Sequence, residues 1–261
     1  MQASKIPPSL VSSFMEILGI DVGGSGIKGA IVDPRKGKFL SDRYRIPTPK
    51  PATPASVINT IEAIIEHFDW HGLVGCGFPA AVKDEIVKTA SNIDKSWIGI
   101  NASAQIEKET GCPTHLVNDV DAAGYAEAEF GAGKGRHGTI FVAAFGTGIG
   151  TALFHNQQLV PNTELGHIPM HGMVAEDYAA NSIREKNNLS WEEWGGRVNE
   201  FLQLIEALFW PDIIIIGGGV SKKFSDFRPY LHLNTTIVPA KSRNHAGIIG
   251  AAIAASAKQG V

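Results

Sequence analysis

A chain of 261 residues, 44% hydrophobic and 19% charged, has the size and composition of a soluble globular protein of one large or two ordinary domains. Its net charge of −3 offers no general attraction to nucleic acid or a membrane surface, and no apolar run approaches the ~18 residues of a membrane span. With only Cys76 and Cys112, neither a disulfide framework nor a cysteine zinc site is plausible, and a reducing, cytoplasmic setting fits best.

Residues 1–16 have no continuous hydrophobic core of the signal-peptide kind and read as a flexible start. Ile17–Val22 is then a short apolar run of strand length, broken by Gly23, Gly24 and Gly26, and Ile27–Val32 resumes as a second. The spacing fits neither a P-loop nor a dinucleotide fingerprint. β-Branched Ile27, Ile31 and Val32 continue into a strand rather than a helix. The unit is therefore strand–turn–strand. Taken alone, it is also compatible with an ordinary glycine-rich hairpin. Asp21 beside a glycine-rich turn, whose backbone N–H groups suit an anion, suggests a divalent cation paired with phosphate.

After a turn at residues 34–37, Lys38–Ile46 is expected to be a third strand. A proline-rich connector follows, and Thr53-Pro54 caps a helix running to about Phe68. Leu73–Phe78 returns to a strand, and Val82 with Ile86-Val87 flanks a hairpin turn. A polar loop over Thr89–Trp97 precedes a helix over about Ala102–Thr110. Thr114–Val117 is a buried strand running into Asn118-Asp119, with a helix over Val120–Phe130. The glycine-rich stretch 131–135 is a natural division, giving units 17–130 and 131–261.

The second half restarts the pattern, with strands at Thr139–Phe145 and Ile149–Phe154 around Gly146-Thr147-Gly148. Setting Gly24 over Gly146 brings Gly26 over Gly148, Ile27 over Ile149 and Ala30 over Ala152, and each hairpin leads to a third strand. Helices are expected at Ala175–Lys186 and Trp191–Phe209, the second opened by a Ser190–Glu193 capping box. Ile213–Ile216 is a buried strand ending in Gly217-Gly218-Gly219, and a short strand lies near Thr236–Val238. The small-residue helix from His245 to about Lys258 is suited to close approach.

Of the three strand-terminal glycine turns, the two alike hairpins, one from each half, could clamp a polyphosphate between them, and the third, near the C-terminus, could accept a base or ribose. Asn118-Asp119, at a strand's end, is placed either to hold a ligand hydroxyl or to cap the next helix. Glu164, His167 and Glu176 are groups of the kind that bind sugar hydroxyls. A metal is the competing reading of Glu164, His167 and His171, but no tight His pair accompanies them.

The set D-V-G-G-S-G-I-K, N-D-V-D-A-A-G, F-G-T-G-I-G, E-L-G-H and I-G-G-G-V resembles the repressor/open-reading-frame/kinase (ROK) family of sugar kinases, in the actin-like ATPase superfamily. T-P-K-P-A-T-P, S-N-I-D-K-S-W and P-N-T-E-L-G-H are similar to its polyphosphate-using members, and the likeness runs from Ile17 to Ala257. The resemblance implies an α/β fold of two actin-like (ribonuclease H-like) domains. Each would be a mixed five-stranded-type sheet flanked by helices, with the site in the cleft between them and the helix at about 245–258 packed back on the first. It implies transfer of a terminal phosphoryl group from polyphosphate, ATP or both to the 6-hydroxyl of glucose, and also of mannose, by a monomer or homodimer. Asp119 would be the base, and Asn118, Glu164, His167 and Glu176 would bind the sugar. Gly77, Phe78, Pro79 and Asn92 would close over it. Asp21, Gly23, Gly24, Ser25, Gly26 and Lys28 would handle donor phosphates and Mg²⁺, Asp21 through water. Gly146, Thr147 and Gly148 would hold the donor's other side, and Gly217, Gly218 and Gly219 would lie near adenosine. The cysteine-rich zinc motif of many members is missing from Ile168–Ala175, so no zinc is expected and that loop needs another brace. A nucleotide-binding switch without a sugar substrate is the alternative. A DNA-binding sugar sensor would need a winged helix, for which residues 1–16 leave no room.

Overall fold

The computed structural model describes residues 16–91, 93–242 and 245–259. The expected flexible start therefore lies almost wholly outside the described residues, as does Asn92. β1 (Ile17–Gly23) and β2 (Gly26–Asp33) form an antiparallel hairpin whose loop is Gly24-Ser25. β2 also pairs with β3 (Lys38–Phe39) and β4 (Tyr44–Ile46). The single strand expected over Lys38–Ile46 is thus two, interrupted where the Ser41 hydroxyl takes the Ile31 N–H in place of a ladder carbonyl.

α1 (Pro54–His67) starts at its Thr53 cap and buries Val57, Ile58, Ile61, Ile64 and Ile65 at helical spacing. β5 (Val74–Phe78) lies parallel to β1 and is followed by the small hairpin β6 (Val82–Lys83) and β7 (Ile86–Val87). After α2 (Ala102–Thr110), β8 (Thr114–Asn118) lies parallel to β5 and passes directly into α3 (Asp119–Glu129). The sheet order is β3-β2-β1-β5-β8, with β4 also on β2.

β9 (Thr139–Phe145), β10 (Ile149–His155) and β11 (Gln158–Val160) open the second sheet. Next come the hairpin β12 (Pro169–Met170) and β13 (Met173–Val174), then α4 (Ala175–Ala179), α5 (Asn181–Lys186) and α6 (Trp191–Phe209). β14 (Ile213–Gly217), α7 (Phe224–Phe227), β15 (Thr236–Pro239) and α8 (Ala246–Lys258) complete the chain. The order β11-β10-β9-β14-β15 repeats the first sheet strand for strand: an antiparallel hairpin, then two parallel neighbours. β14 is buried along its length, as the interior strand of a sheet covered on both faces must be.

The helix expected over Ala175–Lys186 is broken at Ala180, which is extended (φ −63°, ψ 153°). Tertiary bonds impose the break: Trp194 Nε1 donates to the carbonyls of Ala179 and Ala180, and Ser182 reaches back to the Gly146 turn. α8 lies on the first sheet and against α3. A side chain on Gly19 or Gly75 would overlap its backbone, and one on its own Gly250 would overlap the Ala122 carbonyl. Small residues there are what let α8 sit so close.

Candidate active site

A cavity of about 360 Å³ opens where strands of both sheets end. Gly24 follows β1, Pro79 and Ala80 follow β5, and Asn118 and Asp119 sit at the end of β8. Gly146, Thr147 and Gly148 follow β9, Gly218 follows β14, Glu164 and His167 come from the stretch between β11 and β12, and Glu176 stands on the first turn of α4. In α/β sheets the carboxyl ends of strands are where ligands bind, because the loops there converge.

At Asn118-Asp119 the capping role falls to Asn118. Asn118 caps α3, its Oδ1 accepting from Val120 N (2.8 Å) and Asp121 N (3.1 Å), while its Nδ2 donates to the Ala80 carbonyl (3.2 Å). Asp119 is left with its carboxyl at the cavity. Burial, together with the negative charge of Asp21 and lesser contributions from Glu164 and Asp121, pushes that carboxyl up to about 7, against the Val120 N–H bond.

Glu164, His167 and Glu176 form one chain of contacts. His167 Nε2 is 3.3 Å from Glu176 Oε1, and His167 Nδ1 is 3.9 Å from Glu164 Oε2. Glu176 Oε2 accepts from Ile149 N at 3.3 Å. The loop that carries them is braced by the β12–β13 hairpin. At its tip His171 (φ +50°) places Nε2 2.6 Å from Glu200 Oε2 on α6 and packs on Tyr178, whose hydroxyl donates to Glu200 Oε1 (3.1 Å). Among the described residues no group of three or more His, Cys, Asp and Glu is arranged to hold a metal ion.

The glycine turns differ in what they present. Asp21 and Lys28 are cross-strand partners whose charged groups are 3.2 Å apart, and neither they nor Ser25 and Gly26 line the cavity. Gly23 and Gly24 line an adjoining cavity of about 390 Å³ with Thr48 and Lys50, and this shares Gly24, Pro79 and Ser91 with the first. None of Gly23, Gly24 and Gly26 is left-handed. Gly26 is small because the Arg45 guanidinium, which donates to the Ser25 carbonyl (2.5 Å), fills the space a side chain would need. Gly218 alone needs glycine for its backbone (φ +77°). Gly217 and Gly219 flank it outside the lining.

Gly77 and Phe78 are not at the cavity: Gly77 is enclosed within β5, and the Phe78 ring is buried edge-on against Trp97. Only Pro79 of that trio reaches the cavity. Thr89, Ser91, Val120 and Thr151 line it without having been singled out, although Thr89 and Ser91 begin a polar loop visible in the sequence.

Residues 17–181 match the model of the ROK family. A polyphosphate glucokinase of Mycobacterium tuberculosis is 48% identical over 240 residues, 92% of this chain and 91% of that protein. The crystal structure of an inorganic polyphosphate/ATP-glucomannokinase from Arthrobacter sp. strain KM matches with a TM-score of 0.88 at 43% identity, covering 93% of this chain and 99% of that one. A ROK family glucokinase from Streptomyces griseus, in complex with glucose and AMPPNP, shares the fold at 24% identity and a TM-score of 0.78, covering 93% and 100%. The doubled sheet order, the cavity at the strand ends and these similarities agree that the chain belongs to the ROK family, with that family's actin-like α/β fold.

Proposed function

We propose that this chain transfers the terminal phosphoryl group of inorganic polyphosphate or ATP to the 6-hydroxyl of glucose, and of mannose as well. The chain's relatives make it a phosphotransferase with an alcohol group as acceptor. One observation carries the finer reading. A carboxyl pushed up to about 7 stands in a cavity with Gly24 on one side, Gly146–Gly148 on the other, and Glu164, His167 and Glu176 facing in.

In this reading Asp119 orients the acceptor hydroxyl and takes its proton late, since phosphoryl transfer relies on positioning and charge neutralisation more than on base strength. Asn118, Glu164, His167 and Glu176 hold the remaining hydroxyls. Thr147 and Gly148 offer backbone N–H groups to the donor, and Gly24 meets it from the other side. Lys50, on the adjoining cavity, suits the tail of a long phosphate chain. Unit 17–130 with α8 packed on it, and the rest of 131–261, act as the two jaws, and their closure excludes water as a competing acceptor.

The site also fits Mg²⁺. Asp21 and Asp119 are close enough for the charge of one to raise the pKa of the other, and one or two carboxylates completed by phosphate oxygens and waters are the donor set this ion takes. Asp21 would hold it, through water, and it would neutralise charge on the donor oxygens.

Purified protein should be tested with ATP and polyphosphate against glucose, mannose, fructose and N-acetylmannosamine, reading sugar phosphate formed. Glucose 6-phosphate and mannose 6-phosphate are expected from both donors. ATP hydrolysis at a rate indifferent to sugar, with no sugar phosphate, would refute the reading in favour of a nucleotide switch.

A further inference from the structure

The segment carrying Glu164 is tied to the other sheet's elements by a residue two positions ahead of it. Asn162 is left-handed (φ +57°), a conformation that among side-chain-bearing residues Asn and Asp tolerate best. Its amide meets the backbone of Val82 in both senses: Oδ1 accepts from Val82 N at 2.9 Å, and Nδ2 donates to Val82 O at 2.8 Å. Val82 belongs to β6, so the amide serves as a one-residue strand on the open edge of the β6–β7 hairpin.

The backbone N–H of Asn162 goes elsewhere, to Asp121 Oδ2 at 2.8 Å. Asp121 is 1% exposed, and its other oxygen, Oδ1, has no partner among the described residues. Asn162 therefore supplies the hydrogen bond that this buried carboxyl receives. Asp121 stands on the first turn of α3, two residues after Asp119. The Asn162 carbonyl accepts from Glu164 N (3.1 Å), and the Glu164 carbonyl from His167 N (3.1 Å). Downstream the loop returns to its own sheet, where Thr151 Oγ1 accepts from Leu165 N (3.2 Å) and bonds the Thr163 carbonyl. One residue thus touches the hairpin after β5, the helix turn that carries Asp119, and the turn that carries Glu164 and His167.

We propose that Asn162 and Asp121 are a positioning pair that sets the reach from the acceptor-holding groups Glu164 and His167 to Asp119. The kinetic consequence of this rests on the sugar-kinase reading. Neither residue touches the sugar; they act through the loop. Asparagine suits position 162 because glycine would supply the backbone conformation without the amide, and glutamine would place its amide one methylene too far.

Four variants separate the roles. Asn162→Gly keeps the left-handed backbone and removes the clamp on Val82, while Asn162→Asp keeps the acceptor and loses the donor. Asp121→Asn keeps an oxygen for Asn162 N, and Asp121→Ala removes it. Asn162→Gly and Asp121→Ala are expected to raise the glucose KM about 10-fold, with kcat within threefold and donor KM within twofold. Asn162→Asp should fall between, and Asp121→Asn should restore the parent KM within threefold. In ligand-free protein, amides of residues 163–167 should exchange with solvent about 10-fold faster in Asn162→Gly, and those of residues 246–258 at the parent rate. A glucose KM within twofold of the parent in Asn162→Gly overturns the proposal, as does equal acceleration of exchange in both segments. Should the parent phosphorylate no glucose with either donor, the sugar-kinase reading fails, and the exchange comparison alone decides the pair. If Asp121→Ala does not fold, Asn162→Gly carries the test.

Discussion

Gly148→Ala separates acceptor from donor contacts along one turn. Gly148 is not left-handed, so an alanine costs nothing in backbone conformation; the constraint is room. A Cβ there would overlap Glu176 Oε2 and stand 3.1 Å from Glu176 Cδ. The carboxylate must withdraw by about 1 Å to recover ordinary van der Waals separation. Withdrawal breaks the 3.3 Å bond from Ile149 N and moves Oε1 away from His167 Nε2. Because the displaced atoms are the far end of a side chain that is 28% exposed, stability should change by no more than about 0.5 kcal/mol. Losing one charged hydrogen bond to the sugar costs about 1.5–3 kcal/mol, which is roughly 10- to 100-fold in glucose KM. Steady-state rates with glucose varied at saturating donor, and donor varied at saturating glucose, measure both sides, and a thermal melt checks the fold. A glucose KM within twofold of the parent, with the donor KM raised instead, would refute the reasoning and remove Glu176 from the sugar site.

Asp119→Asn should lower kcat by roughly 10²-fold or more while calorimetry still detects glucose binding, and near-normal turnover would exclude Asp119 as the base. Only the ionised carboxylate accepts a proton, so kcat/KM should fall as pH drops below about 7 and level off above it; a profile flat from about pH 5 to 8 would contradict this. His171→Ala frees the β12–β13 tip from Glu200 and should raise the glucose KM a few-fold with kcat retained; an unchanged KM would show that the hairpin needs no such brace. At Glu85, burial opposes ionisation but is outweighed by hydrogen bonds from His115, Lys258, Ser103 and Leu116 N, which hold the carboxyl well below its usual range. Its stabilisation is complete above the unfolded value of about 4.3 and fades as pH falls toward the folded one. The urea-stability gap between the parent and Glu85→Gln should therefore narrow from about pH 5 to 3, and a constant gap would refute the assignment.

What was legible in the sequence was local. The β1–β2 and β9–β10 hairpins follow from apolar runs broken by glycines, and α6 from the Ser190–Glu193 box, whose reciprocal bonds are present. The family motifs located Asp119, Glu164, His167 and Glu176 at one cavity. What failed was decided at a distance. No glycine or proline marks the break at Ala180, which comes from Trp194 and Ser182; the split after Phe39 comes from one serine hydroxyl. All five residues of β5 are buried, so alternation could not show that Phe78 turns into the core while Pro79 reaches the cavity. Asn162 meets Val82 across 80 residues, a pairing that no periodicity encodes.

The duplicated hairpins are alike in sequence but not in how their turns are held, and the difference bears on which of them suits an anion. At the first turn, Thr48 takes the Gly23 carbonyl and Arg45 the Ser25 carbonyl. At the second, one residue serves two consecutive carbonyls: Ser182 N donates to Gly146 O (3.0 Å) and its hydroxyl to Thr147 O (2.5 Å). A trans peptide carries its N–H opposite its carbonyl, so fixing both carbonyls from the Ser182 side turns the N–H groups of Thr147 and Gly148 the other way. Successive N–H groups aimed together form an anion-binding nest. The break at Ala180 is what brings Ser182 to this turn, since an unbroken helix from Ala175 would carry it elsewhere. The departure from helical periodicity and the cradle proposed for phosphate therefore have one cause, and Gly146, Thr147 and Gly148 all line the cavity, where the first turn contributes only Gly24.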